Sequence, residues 1–114
     1  MQYMFSFVRD DGAWESLPEG EQTDRRAKVA SWIMEQAAAG RLQGGGELAG
    51  ADTATTVRFE GPKPIVMDGP FIEAREILGG FILVDVADLD EAIALASTFP
   101  LADHAVEIRP TVAH

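Results

Sequence analysis

Tyr3, Met4, Phe5, Ser6, Phe7 and Val8 place aromatic and apolar side chains at the front of the chain, which suits a strand over residues 2–9 and makes a poor amphipathic helix. Asp10-Asp11-Gly12 ends that strand, and a loop is expected past Trp14 to Pro18. From Glu21 the period changes. Ala27, Ala30, Ile33 and Ala37 fall on one helical stripe, widened by Val29, Trp32 and Met34. A long helix is predicted there, closed by Gly40, where a left-handed cap costs glycine nothing. Arg41 and Leu42 lead into Gly44-Gly45-Gly46, which predicts a tight turn or a close approach of backbones.

Beyond the glycines, Glu47 and Leu48 can form a short strand, and residues 53–60 make a better one through Thr55, Thr56, Val57 and Phe59. Gly61-Pro62 turns the chain, residues 64–67 return, and the hairpin ends at Asp68-Gly69-Pro70-Phe71. Phe81-Ile82-Leu83-Val84-Asp85-Val86 is the most apolar run and predicts a central strand. Phe81 and Leu83 share one face; Ile82, Val84 and Val86 share the other. Asp88 and Glu91 form a capping-box-like start to a helix whose inner face is Leu89, Ala92, Ile93, Ala96 and Phe99, ended by Pro100. Residues 105–109 alternate with Val106 and Ile108 inward, and Pro110 closes that last strand.

The order strand, helix, short strand with hairpin, central strand, helix, strand predicts an α+β fold: a ferredoxin-like sandwich with an extra β-hairpin. With 114 residues, one domain spanning 1–114 is expected. Two helices cover only one face of such a sheet, and Tyr3, Phe5, Phe7, Phe81 and Leu83 are expected on the other. At about 25 cal/mol per Å² of apolar surface, burial against a second copy is the economical outcome, so a homodimer joined through the sheet face is predicted.

Composition narrows the function classes. An apolar content of 46% with 25% charged residues belongs to a folding globular chain. Nine basic against nineteen acidic residues give a net charge of -10. Only Arg25, Arg26 and Lys28 cluster, so neither a nucleic-acid groove nor a polybasic membrane patch is expected. The absence of cysteine removes disulfides, thiolate nucleophiles and cysteine metal sites, and fits a cytoplasmic location. Met1 to Val8 lack the basic lead and length of a signal peptide or membrane span.

Several motifs together resemble the YCII-related family, and within it the DGPF branch. They are Asp68-Gly69-Pro70-Phe71 with Glu73 and Glu76, then Gly79-Gly80-Phe81, the opening Tyr3-Met4, Trp32 with Gly40 and Leu42, and Gly45-Gly46 to Leu48. Ala54-Thr55-Thr56-Val57-Arg58, Asp88-Leu89-Asp90-Glu91-Ala92 and Val106-Glu107-Ile108-Arg109-Pro110 complete the set. The resemblance implies a dimeric α+β barrel with an active-site cleft, and association of some members with sigma-factor systems. Two features depart from the family pattern. Arg75 stands where DGPF relatives commonly carry lysine, which replaces a mobile ammonium with a planar fork. The His-Asp pair of the wider family has no equivalent in the first long helix, since the only histidines are His104 and His114.

Asp68 is a candidate base at the hairpin end, or an acceptor for turn amides. Glu73, Arg75 and Glu76 lie close to it in sequence, as pocket groups or as solvated loop residues. His104 is the one internal side chain whose type titrates near neutrality, a candidate proton carrier or a plain loop histidine. Arg58 and Arg109 could each hold a substrate carboxylate, or an intramolecular one such as Glu107. Trp14 could cap a cleft or pack on the sheet edge. The glycine run lacks the Lys-Ser/Thr of a phosphate loop, so nucleotide binding is not expected. No metal site is assigned, Mg²⁺ or Mn²⁺ on Asp68 and Glu73 being a minor alternative. The reading is a small enzyme using acid–base chemistry on an organic acid or ring compound, with Asp68 and His104 moving protons and no cofactor. Its alternative is a non-catalytic binding or regulatory dimer linked to transcription.

Overall fold

The computed structural model describes residues 1–71 and 76–113. Strand β1 (Gln2–Asp10) alternates half-buried and buried positions along its length, with Tyr3, Phe5, Phe7 and Arg9 buried. It lies inside a four-stranded antiparallel sheet of order β2-β5-β1-β6, formed with β2 (Leu42–Glu47), β5 (Glu76–Asp85) and β6 (Ala105–Pro110). Helices α2 (Glu19–Ala38) and α3 (Leu89–Ala96) supply the helical layer, so the architecture is the expected α+β one with an added hairpin.

The face assignment of β1 needs correction. Residues opposite one another across an antiparallel pair share a face. Tyr3 lies opposite Val84 and Phe5 opposite Ile82, and all four join Phe7, Trp32, Val86 and Ala92 in the core. Tyr3, Phe5 and Phe7 therefore face the helices. The far face instead carries Met4 opposite Leu83 and Ser6 opposite Phe81, flanked by the exposed Glu107 and Arg109.

The helices also bury narrower stripes than their alanines suggest. On α2, Trp32 and Gln36 are buried while Ala27, Met34 and Ala37 are exposed, because the large indole decides which side turns inward. On α3, Ala92 is buried with Leu95 and Ala96 packed beside it, whereas Leu89 and Ile93 stay about half exposed. The expected loop around Trp14 is a short helix, α1 (Asp11–Glu15). Asp10, thought only to stop the strand, caps it by accepting a hydrogen bond from the Ala13 amide at 3.0 Å.

Gly44-Gly45-Gly46 is not a turn but the body of β2. A Cβ on Gly45 would run into the Phe81 carbonyl oxygen, so glycine is what lets β2 approach β5. Strands β3 (Thr55–Glu60) and β4 (Lys63–Asp68) form a separate two-stranded sheet. Its two-residue turn places Gly61 at φ 57°, followed by Pro62, as a type II′ turn requires. Val57, Phe59, Val66 and Met67 on this arm are all exposed. The molecule measures 44 × 43 × 19 Å with a radius of gyration of 15.9 Å. A compact chain of this length would have about 13 Å. Among the described residues, no helix is long and apolar enough to cross a membrane.

Candidate functional site

A cavity of about 330 Å³ lies between α2 and the β2–β5 side of the sheet. One wall is largely main chain, from Gly44, Gly45, Gly46, Gly79 and Gly80; the opposite wall is Val29, Ala30 and Ile33 of α2. The missing side chains on β2 and the small Ala30 are what keep the space open. Trp14, Arg9 and His104 close one end, with Phe99 and Leu101 beside them.

His104 stands in the turn before β6, its side chain only 6% exposed. Its ring meets Trp14 edge-on at 6.1 Å and Phe99 at 5.9 Å between centroids. Nδ1 lies 3.1 Å from Asp103 Oδ1, and Asp103 Oδ2 accepts a hydrogen bond from Arg25 Nη1 of α2 at 2.8 Å. The Arg25 hydrogen bond holds the Asp103 carboxyl below its ordinary value of 3.8; the His104 bond acts in the same direction and partial burial opposes both. An ionised Asp103 orders a proton onto Nδ1 and leaves Nε2 as the basic nitrogen.

Arg9 is the charged member of the β1 aromatic stripe, 6% exposed. Its Cζ lies 4.7 Å from the Trp14 ring centroid. Nε sits 3.4 Å from Asp11 Oδ1, yet neither atom has a hydrogen-bond partner among the described residues. Gly79 makes room for this side chain: a Cβ there would come within 2.9 Å of Arg9 Cδ and Nε. Arg26 also lies over Trp14, at 5.4 Å, but its Nε is bonded to both Glu47 carboxylate oxygens at 3.1 Å.

Of the residues singled out in the sequence, His104 and Trp14 come together at this cavity. Asp68 does not join them within one chain; it is exposed at the end of β4, paired with Thr55. Arg58 is on the exposed arm, its Cζ 5.1 Å from the Phe71 ring centroid. Arg109 Nε donates to Glu107 Oε1 at 2.6 Å on the sheet's far face. Glu76 lines a separate surface hollow with Pro70 and Leu48. Glu73, Arg75 and His114 lie outside the described residues. Among the described residues, no three His, Asp or Glu side chains gather as a metal site would require.

Sequence reasoning missed Arg9, Arg26 and Gly79. A signal for Arg9 was present, since a cation at an inward position of an aromatic, alternating strand needs a reason to be there.

The YCII-related domain model matches residues 1–113. The chain belongs to the YCII-related domain family. This YCII-related chain is 41% identical over 75 residues to an uncharacterized protein of Rhizobium meliloti (strain 1021). That match takes in 63% of the chain and spans about 60% of the relative's length. Among solved structures it is similar to 5-chloro-2-hydroxyhydroquinone dehydrochlorinase from Burkholderia phenoliruptrix AC1100 in complex with 2,5-dihydroxybenzoquinone. The two superpose with a TM-score of 0.61 at 14% identity, over 100% of this chain and 96% of the neighbour. At that identity the likeness shows a shared fold.

Proposed function

We propose that this protein is a small acid–base enzyme acting on an organic acid or ring compound in the cavity, with His104 as the proton carrier. The observation that carries this reading is a buried imidazole, tethered through Nδ1 to Asp103, at the end of an apolar space walled by glycine backbone. Neutral Nε2 takes a proton from a carbon or hydroxyl of the bound compound, and the electron pair of the broken bond stays on the compound as an enolate or phenolate. The imidazolium is stabilised by Asp103 and returns the proton at a second position, completing an isomerisation. A fold neighbour that acts on a chlorinated hydroquinone supports the ring-compound side of this reading. The test is deuterium incorporation from D₂O into hydroxyquinones and small β-keto acids, followed by NMR. Wild type should accelerate exchange, and His104→Gln should lower that rate by about 10²-fold or more. Equal rates for the two proteins would sink the proposal.

We further propose that the chain is a cytoplasmic member of the DGPF branch and works as a homodimer through the far face of the sheet. Supporting this is a solvent-accessible surface of 7628 Å². A compact monomer of this mass would expose roughly 6,100 Å², and the excess is on the scale of a subunit interface. The exposed apolar arm favours, as a second reading, a binding or regulatory dimer in which Asp68 only shapes a turn.

A further inference from the structure

We infer that the cavity is built for a flat aromatic monoanion, a ring carboxylate whose charged group is seated on Arg9. The inference rests on the preceding reading that this cavity is the ligand site, and it adds the class of ligand. Arg9 is buried, stacked against Trp14, and makes no hydrogen bond to another described residue. Nε is the buried donor left without a partner, which is costly, and the outer N–H groups of the guanidinium, bonded to no other described residue, are free for an anion. Asp11 is the adjacent carboxylate, but its Oδ2 accepts a hydrogen bond from the Ala51 amide at 3.1 Å and its Oδ1 meets only Nε, at 3.4 Å. The second cation at this end, Arg26, is already matched by Glu47. One open fork suits one carboxylate; a phosphate dianion would call for more free donors than the cavity shows.

The remaining walls select the rest of the ligand. Peptide planes of Gly44–Gly46 on one side and Val29, Ala30 and Ile33 on the other make an apolar slot, suited to a ring rather than a sugar or a polar chain. The Trp14 ring centroid is near both polar groups, 4.7 Å from Arg9 Cζ and 6.1 Å from the His104 ring centroid, which sets their separation below 11 Å. The two groups are thus close enough for one small ring compound to reach both. Gly79 is the positioning residue, since any side chain there displaces the Arg9 stem.

The probes are benzoate and its neutral analogue benzamide, titrated by calorimetry into wild type, Arg9→Met and Gly79→Ala. Wild type should bind benzoate about tenfold or more tightly than benzamide, and Arg9→Met should remove that preference. Gly79→Ala should weaken benzoate selectively. Should Arg9→Met fail to fold, the wild-type preference and Gly79→Ala decide the matter. Equal binding of the two probes by wild type, no saturable benzoate binding at millimolar concentration, or benzoate binding unchanged in Arg9→Met or Gly79→Ala overturns the inference. His104-dependent exchange with no carboxylate preference would remove the anion seat alone; preference without exchange would remove only the proton-transfer reading.

Discussion

His104 and Asp103 make a unit with Arg25, and its behaviour with pH follows from the direction of the Asp103 shift. A carboxyl held below its ordinary value in the folded chain stabilises the fold above that value and ceases to do so as pH falls through the lowered one. Arg25→Met should therefore melt below wild type near pH 7, and the gap should narrow as pH falls below the ordinary carboxylate value of about 3.9 and close only past Asp103's lowered one. Thermal melts across that range check it, and a gap that persists in acid would dismiss the linkage. Gly45 makes a sharper case at the same scale. It sits at φ 142° with the Phe81 carbonyl where a Cβ would go, so Gly45→Ala should cost on the order of 3 kcal/mol in urea unfolding. The residue type of His104 marked it as a candidate in the sequence. Arg9 escaped notice because its meaning depends on β1 parity together with Trp14, and nothing local says where the next helix places that ring.

Among the elements, α3 shows what local chemistry settles by itself. Asp88 Oδ1 accepts from the Glu91 amide at 2.9 Å, and Glu91 Oε2 accepts from the Ala87 amide at 3.2 Å, so the start of this helix is written in the five residues 87–91. Asp88→Ala should destabilise by about 1 kcal/mol, a fall in Tm of about 4 °C. Loss of less than a few tenths would mean the cap is replaced by water. Element order and most boundaries were likewise legible, because periodicity and turn residues act over short spans. What was not legible depended on register. The strand pattern of Tyr3, Phe5 and Phe7 says that they share a face, but only their pairing with Val84 and Ile82 says which face it is. The glycines of β2 left a turn and a close backbone approach both open for a related reason: a sequence shows the missing side chains, whereas the strand that needs their absence, and decides for the close approach, is brought in from Phe81.

At the scale of the whole molecule, two surfaces leave apolar side chains uncovered: the half-buried row of Met4, Phe81 and Leu83, and the hairpin arm. A homodimer predicts sedimentation at twice 12.3 kDa, with Leu83→Glu shifting the species to the single-chain mass. A wild-type chain that stays at the single mass at micromolar concentration would count against it. The hairpin carries its own consequence. Two strands hydrogen-bonded only to each other hold their shape poorly in water, since half of each ladder faces solvent and there is no third strand to share the load. Amide exchange at Val57 and Val66 should thus be fast in dilute protein, and slowing with concentration would mean that the dimer covers the arm as well as the far face. Trypsin should cut after Arg58 in dilute samples long before it reaches Arg9, sparing Lys63 because Pro64 follows it, and leaving the sheet whole and the arm as the chain's own gauge of company.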